Sequence, residues 1–355
     1  MADQWDAMIY VTLRPETYHA STRRGALTGY HPRAFTVAPP RVDRVIQRRL
    51  LFGLKVARGK YPSDASLQAA TSDIASLITL LEVFLRSIRS RQDVLVCVDN
   101  IAAGNVRLAL ELVKSFFGSG HVDTQKIVNI VQESGRYMIP IHEFQRAIIY
   151  GDNAHFDPSR SPIANLFDVS GLDVKEHFLQ PILLDVLRKP SASRSPDGFF
   201  PVQVIYESLQ QLRFTPEQVD IAIVRLFKKR LIETSARRIP EPGSSDNYAM
   251  RITSAGLYHL DGLLPTFTYY DAVVVDTPIL VKHNRDAIRD AHTLEERLQR
   301  ALSFIVYLDK SWSELSKDSA FNWLEMSEQA TRLIERLCAR QISQRRLSLS
   351  DGFSE

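Results

Sequence analysis

Cysteine is scarce: Cys97 and Cys338 are the only two in 355 residues, and they stand in no ligand spacing. That excludes a disulfide framework and a cysteine-built zinc site, and it suits a reducing cytoplasm. No sign of charge dominates. The net charge is +3, so the overall balance names no partner and any basic patch must be local. Long apolar runs are missing, and without a stretch of about eighteen such residues no membrane span is expected. The opening MADQWDAMIY has no basic stretch followed by an apolar one, so no secretory leader is expected. The nine histidines make no HExxH or other helical ligand pair. His19, His31, His121, His142 and His155 read as scattered surface or cap residues, so no metal site is expected. A Gly-x-Ser-x-Gly elbow is absent, as is any repeat at solenoid periods.

What is present is a chain long enough for two or three domains, with an ordinary globular composition. AMIYVTL (7–13) and AFTVAPP (34–40) predict two short strands, the second stopped by its prolines. The first is of the kind buried on both faces, and two strands cannot make the sheet it needs. Residues 1–40 are therefore expected to be loosely held. From 41 to 150 the pattern is helical, through RVDRVIQRRLLFGLKVA, SDIASLITLLEVFLRSI, NVRLALELVKSFFGSG and DTQKIVNIVQES, with Asp123 as an N-cap. VLVCVDN (94–100) reads as part of a helix.

Residues 151–165 predict a loop, and 173–189 a helix bent at Pro181. FPVQVIYESLQQL and FTPEQVDIAIVRLFKKRL predict two more helices, the second with Thr215 as N-cap and Pro216 at its first position. LIETSARR and NYAMRIT predict strands around the loop IPEPGSSD, closed by a short helix in SAGLYHLDGLL. This is the winged-helix order, a variant of helix-turn-helix. VVVDTP (273–278) predicts a strand end and turn, with Asp276 at the turn. The remainder is helical up to SLSDGFSE, an expected disordered tail.

Three stretches carry a resemblance. MIYVTLRP resembles the sensor 1 strand of an AAA+ or STAND-type P-loop ATPase, with Thr12 at its tip and Arg14 as the STAND-like arginine. AFTVAPPRVDRVIQRR resembles the last core strand, its proline-rich exit and the first lid helix. GNVRLAL resembles the sensor 2 helix, with Asn105 at its start and Arg107 as the sensor arginine. A guanidinium is a planar, permanently charged fork suited to phosphate oxygens.

The resemblance covers about residues 5–265 of the sequence. It implies a remnant of the nucleotide core in 1–40, a helical lid in 41–155, a winged helix in 166–264 and a helical region in 265–355. Walker A and Walker B are both missing. GLKVARGKY (53–61) has the wrong glycine spacing, a tyrosine after Lys60 and a helical context. ATP is therefore expected only with a P-loop core supplied by sequence before residue 7 or by another chain, and no hydrolysis is expected of this chain alone.

The fold class expected is mainly α with a small β content. The implied function is regulatory: a lid and winged helix coupling nucleotide state to a DNA or protein partner, in the cytoplasm and away from membranes. The alternative is a non-enzymatic winged-helix DNA-binding regulator, and a third reading is an interaction scaffold. Nucleic-acid contacts would fall to Arg225, Lys228 and Lys229 on the third helix and to Arg237, Arg238 and Arg251 on the wing strands. Glu217 and Asp220 oppose that role, because they put negative charge at the end that usually reads bases.

Overall fold

A computed structural model describes residues 10–13, 17, 18, 21, 27, 33–35, 37–60, 74–236, 248–288, 290–315 and 321–351. The protein is mainly helical, as the periodicity predicts. Six helices come first: α1 (Val42–Ala57), α2 (Ile74–Ser90), α3 (Gln92–Ala102), α4 (Val106–Gly118), α5 (Thr124–Ser134) and α6 (Ile141–Tyr150). Each buries one stripe. On α1 the stripe is Val42, Ile46, Leu50 and Leu54, one residue per turn. The bundle closes on Phe84, Phe116 and Phe144, with ring centroids 5.1 Å apart for Phe84–Phe116 and 5.4 Å for Phe116–Phe144. Burying each ring contributes roughly 1.5–3 kcal/mol. VLVCVDN lies in α3 and buries Val94, Cys97 and Val98.

The second half begins with a 3-10 turn, Val174–Phe178, leading into α7 (Leu179–Arg188). Pro181 sits in the first turn of α7, where a missing N–H costs no helical hydrogen bond. Then follow β1 (Phe200–Pro201), α8 (Val202–Gln211), α9 (Pro216–Lys228), β2 (Ile232–Thr234) and β3 (Ala249–Ile252). The strands form one antiparallel sheet in the order β1-β3-β2, with Glu233 opposite Arg251. Thr215 and Gln218 cap α9 reciprocally, and Pro216 opens the helix as the sequence requires.

The chain continues through α10 (Ser254–Tyr258), a π turn at His259–Leu263, α11 (Phe267–Val273) and α12 (Lys282–Ala287), and ends in a hairpin of α13 (Leu294–Ser313) and α14 (Trp323–Asp351). The strand end expected in 273–278 is replaced by the end of α11 at Val273 and a turn that follows it, so the turn at Asp276 is present while the residue leading into it is helical, and periodicity does not separate a buried helix such as 268–273 from a buried strand.

α10 packs on α3, and α11 on α6 and α13. One apolar core thereby runs from Val42 to Ile334. The two N-terminal strands are a second departure. Residues 10–13, and 34, 35 and 37–40, carry no strand, and Phe35 and Val37 are exposed. Backbone N–H and C=O groups need a partner strand to form a ladder, and none of the described strands lies beside these residues.

Candidate functional site

The start of α4 is built by the sequence immediately before it. Ala103 and Gly104 take left-handed conformations, with φ of 45° and 79°, and turn the chain out of α3. The Asn105 side chain then accepts the Leu108 N–H at 3.2 Å and caps α4. Arg107 stands exposed on the first turn, with no ion pair among the described residues, Glu111 included. No acidic residue occupies that turn, so the positive helix end and the guanidinium both favour an anion there.

The other residues expected at a nucleotide are not brought to Arg107. Thr12 is exposed and outside any strand, and Arg14 lies outside the described residues. GLKVARGKY offers no phosphate cradle, because Gly53 to Ala57 belong to α1. The N–H groups of Arg58, Gly59 and Lys60 are bound to Leu54, Val56 and Lys55 carbonyls at 3.0, 2.9 and 2.9 Å. Nucleotide phosphates need such N–H groups free, so residues 53–60 do not form a phosphate cradle.

The basic end of α9 faces inward, onto the chain's own 157–169 loop. Arg225 pairs with Asp168 at 3.1 Å and donates to the Asp168 and Val169 carbonyls at 3.3 Å. Lys229 donates to the Ser161 carbonyl at 2.6 Å and to the Pro158 carbonyl, and burial lowers its pKa. Arg251 pairs with Glu233, donates to the Asp197 carbonyl at 2.6 Å and lies over the Phe199 ring. The Coulomb energy a phosphate would seek in these three groups is already taken up within the fold. Lys228 is exposed and unpaired among the described residues, and Arg237 and Arg238 lie outside them. Asp220 accepts a hydrogen bond from the Tyr206 hydroxyl.

The loop that receives α9 is itself buried, which its polar sequence does not announce. His259 and Tyr269 hold it. His259 Nε2 accepts the Ala164 N–H at 3.0 Å while Nδ1 donates to the Ala255 carbonyl at 2.7 Å. The Tyr269 hydroxyl accepts the Leu166 N–H and donates to the Ala164 carbonyl, both at 2.9 Å. Asn165 donates to Thr277 at 3.0 Å and to Asp276 at 3.1 Å, so Asp276 holds a loop.

His177 is likewise internal, bound to the Phe167 carbonyl at 2.6 Å and the Tyr307 hydroxyl at 2.7 Å. His177 and His259 are buried, and neither stands out in the sequence. Burial lowers the pKa of both, to about 4 for His259. Between α11 and α13, the buried Asp271 is bound by Arg297 and Arg300, with Tyr150 donating from α6 at 3.4 Å. Arg297 and Arg300 are one turn apart in ERLQRAL, a spacing that signals a shared face without naming its acid.

Among the described residues no group of three His, Cys, Asp or Glu is placed to hold a metal, and no helix is long and apolar enough to cross a membrane. Comparison with protein-family models, curated proteins and solved structures finds no match to this chain.

Proposed function

We propose that this chain is a non-catalytic regulatory module of the AAA+/STAND kind, a lid-like helical bundle joined to a winged helix. The observation that carries the reading is the order of α7, β1, α8, α9, β2 and β3 with sheet order β1-β3-β2, directly after the bundle. That order and pairing support the winged-helix reading. Its third helix, α9, turns Arg225 and Lys229 onto the chain's own loop. This favours a winged helix that contacts protein over one that reads DNA. Arg107 is the group the bundle presents to a phosphate held on a separate P-loop protein.

Three measurements test the reading. Purified chain should not hydrolyse ATP, and turnover above background would refute a non-catalytic module. Its affinity for duplex DNA should be unchanged by Lys228→Ala. Nanomolar, salt-steep duplex binding lost in that variant would make it the alternative, a winged-helix DNA regulator. Association with a P-loop ATPase should require ATP and be lost in Arg107→Ala. Association indifferent to both would remove the nucleotide role.

A further inference from the structure

Three arginines and one acid meet where α6, α11 and α13 pack together, and the acid does not balance them. Asp271 of α11 is buried, and Arg297 and Arg300, one turn apart on α13, share its carboxylate. Arg297 donates through Nε to both carboxylate oxygens, at 3.0 and 3.2 Å, and through Nη2 to Oδ2. Arg300 donates through Nη2 to Oδ1 at 3.1 Å and to the Asp271 carbonyl at 3.4 Å. From α6 the Tyr150 hydroxyl donates to Oδ2 at 3.4 Å. Arg146 stands one turn before Tyr150 on the same face of α6. Burial and Asp271 raise the pKa of Tyr150, and Arg297, Arg146 and Arg300 each oppose that rise, so all three guanidinium groups lie about one hydroxyl.

Two things are unmet in this cluster. Three guanidinium groups against one carboxylate leave an excess of about +2, and Arg146 forms no ion pair or hydrogen bond among the described residues. The Nε–H groups of Arg146 and Arg300 are also buried without an acceptor. They are two of the three such side-chain atoms among the described residues, so the shortfall is local. A buried N–H is costly unless something accepts from it, and the cost is larger for a charged group. The cluster is not sealed: Arg297 keeps 20% of its side chain exposed and Arg300 11%, and Arg146 is half-buried.

We infer that Arg146, Arg297 and Arg300 bind a phosphate dianion, either inorganic phosphate or the phosphoryl group of a small monoester. Its charge, close to −2 at neutral pH, matches the excess. Its tetrahedral oxygens can accept from guanidinium forks that arrive from two helices, α6 and α13. A carboxylate brings one charge on a planar group and leaves half the excess uncompensated. A phosphodiester also brings one charge, with two arms that a guanidinium as deep as Arg300 does not suit. The ion would tie α6 to α13 across Asp271. Arg107 stands on α4 and takes no part.

Isothermal titration calorimetry of the full chain with inorganic phosphate, at neutral pH and constant ionic strength, tests this. Chloride, malonate and phenyl phosphate are the comparisons. Phosphate should bind saturably and raise the thermal midpoint, because a ligand that binds only the folded chain stabilises it. Arg146→Gln should weaken phosphate binding at least about tenfold, the usual worth of a contact to a charged group. Arg107→Ala and Arg48→Gln should leave binding unchanged, which separates this site from the nucleotide reading and from α1. Arg146 has no partner to lose, so Arg146→Gln in chloride should keep the parent's midpoint and circular dichroism. Phenyl phosphate binding more tightly than inorganic phosphate would make a monoester the source of the group, and the reverse would make it the free ion.

Equal affinity in Arg146→Gln and the parent would mean an adventitious ion only and overturn the assignment. So would malonate binding as tightly as phosphate, or heats no larger than those of chloride. Binding lost in Arg107→Ala instead would place the phosphate at Arg107 and overturn it as well.

Discussion

At the scale of the residue, burial decides chemistry. His259 is fully buried, and its pKa falls from 6.5 to about 4. It is held neutral, accepting one backbone N–H and donating to one carbonyl. Below pH 6.5 the unfolded chain takes up a proton that the fold refuses, so the stabilisation present above pH 6.5 is lost as pH falls towards 4 and levels off below it. A shift of this size corresponds to roughly 3 kcal/mol. Urea titrations at pH 7, 5.5 and 4.5 should show a smaller loss in His259→Gln than in the parent. Equal losses would place the pH dependence elsewhere, with His177 the next group to test. Gly256 is fixed by space. A Cβ there would lie 2.4 Å from the Leu231 carbonyl oxygen and 2.7 Å from Ile252. Gly256→Ala should destabilise by about 1–3 kcal/mol, the usual cost of overpacking, and an unchanged urea midpoint would contradict this.

At the scale of the element, the sequence is explicit where local chemistry is enough. Asn105, Asp123, Thr215 and Thr293 each cap the helix that follows, and each accepts a backbone N–H in its first turn. Asn105→Ala should cost about 1 kcal/mol and speed amide exchange in the first turn of α4 more than elsewhere. Uniform exchange across α4 would show that packing, not the cap, holds that end. Residues 267–278 mark the limit of local reading: 273–278 read as a strand end, yet Thr266, accepting the Tyr269 N–H, and the burial of Thr268 to Val273 make the segment leading into the turn a helix. The loop 157–169 marks a second limit. Polar residues and a proline predict a surface loop, yet Ile163, Leu166 and Phe167 are fully buried. Ser161, Asn165, His177 and Gln180 satisfy part of its backbone from nearby, but Arg225, Lys229, His259 and Tyr269 arrive from 56 to 105 residues later, which no local window contains.

At the scale of the whole molecule, one core joins the bundle to the later helices, through α10 against α3 and α11 against α6. Urea unfolding followed by circular dichroism and by tryptophan fluorescence should therefore give one coincident transition. Trp312 and Trp323 report the C-terminal packing, where they stand against Phe178 at 4.9 and 5.1 Å, while helicity reports the bundle as well. Two separated transitions would show that the halves unfold independently. The sequence by itself determined most of the helices, the caps at Asp123 and Thr215, the α9 entry and the β2–β3 pair, because periodicity and capping act over a few residues. It also placed Asn105 and Arg107 at a helix start. Only the tertiary structure decided which charges are free. Arg225, Lys229 and Arg251 read as phosphate contacts in the sequence and are bound within the fold, whereas Arg44, Arg48, Arg49 and Lys55 of α1 form no ion pair among the described residues. The reason is physical: a side chain's charge is written in the sequence, but the counter-charge that takes it up arrives from another part of the chain.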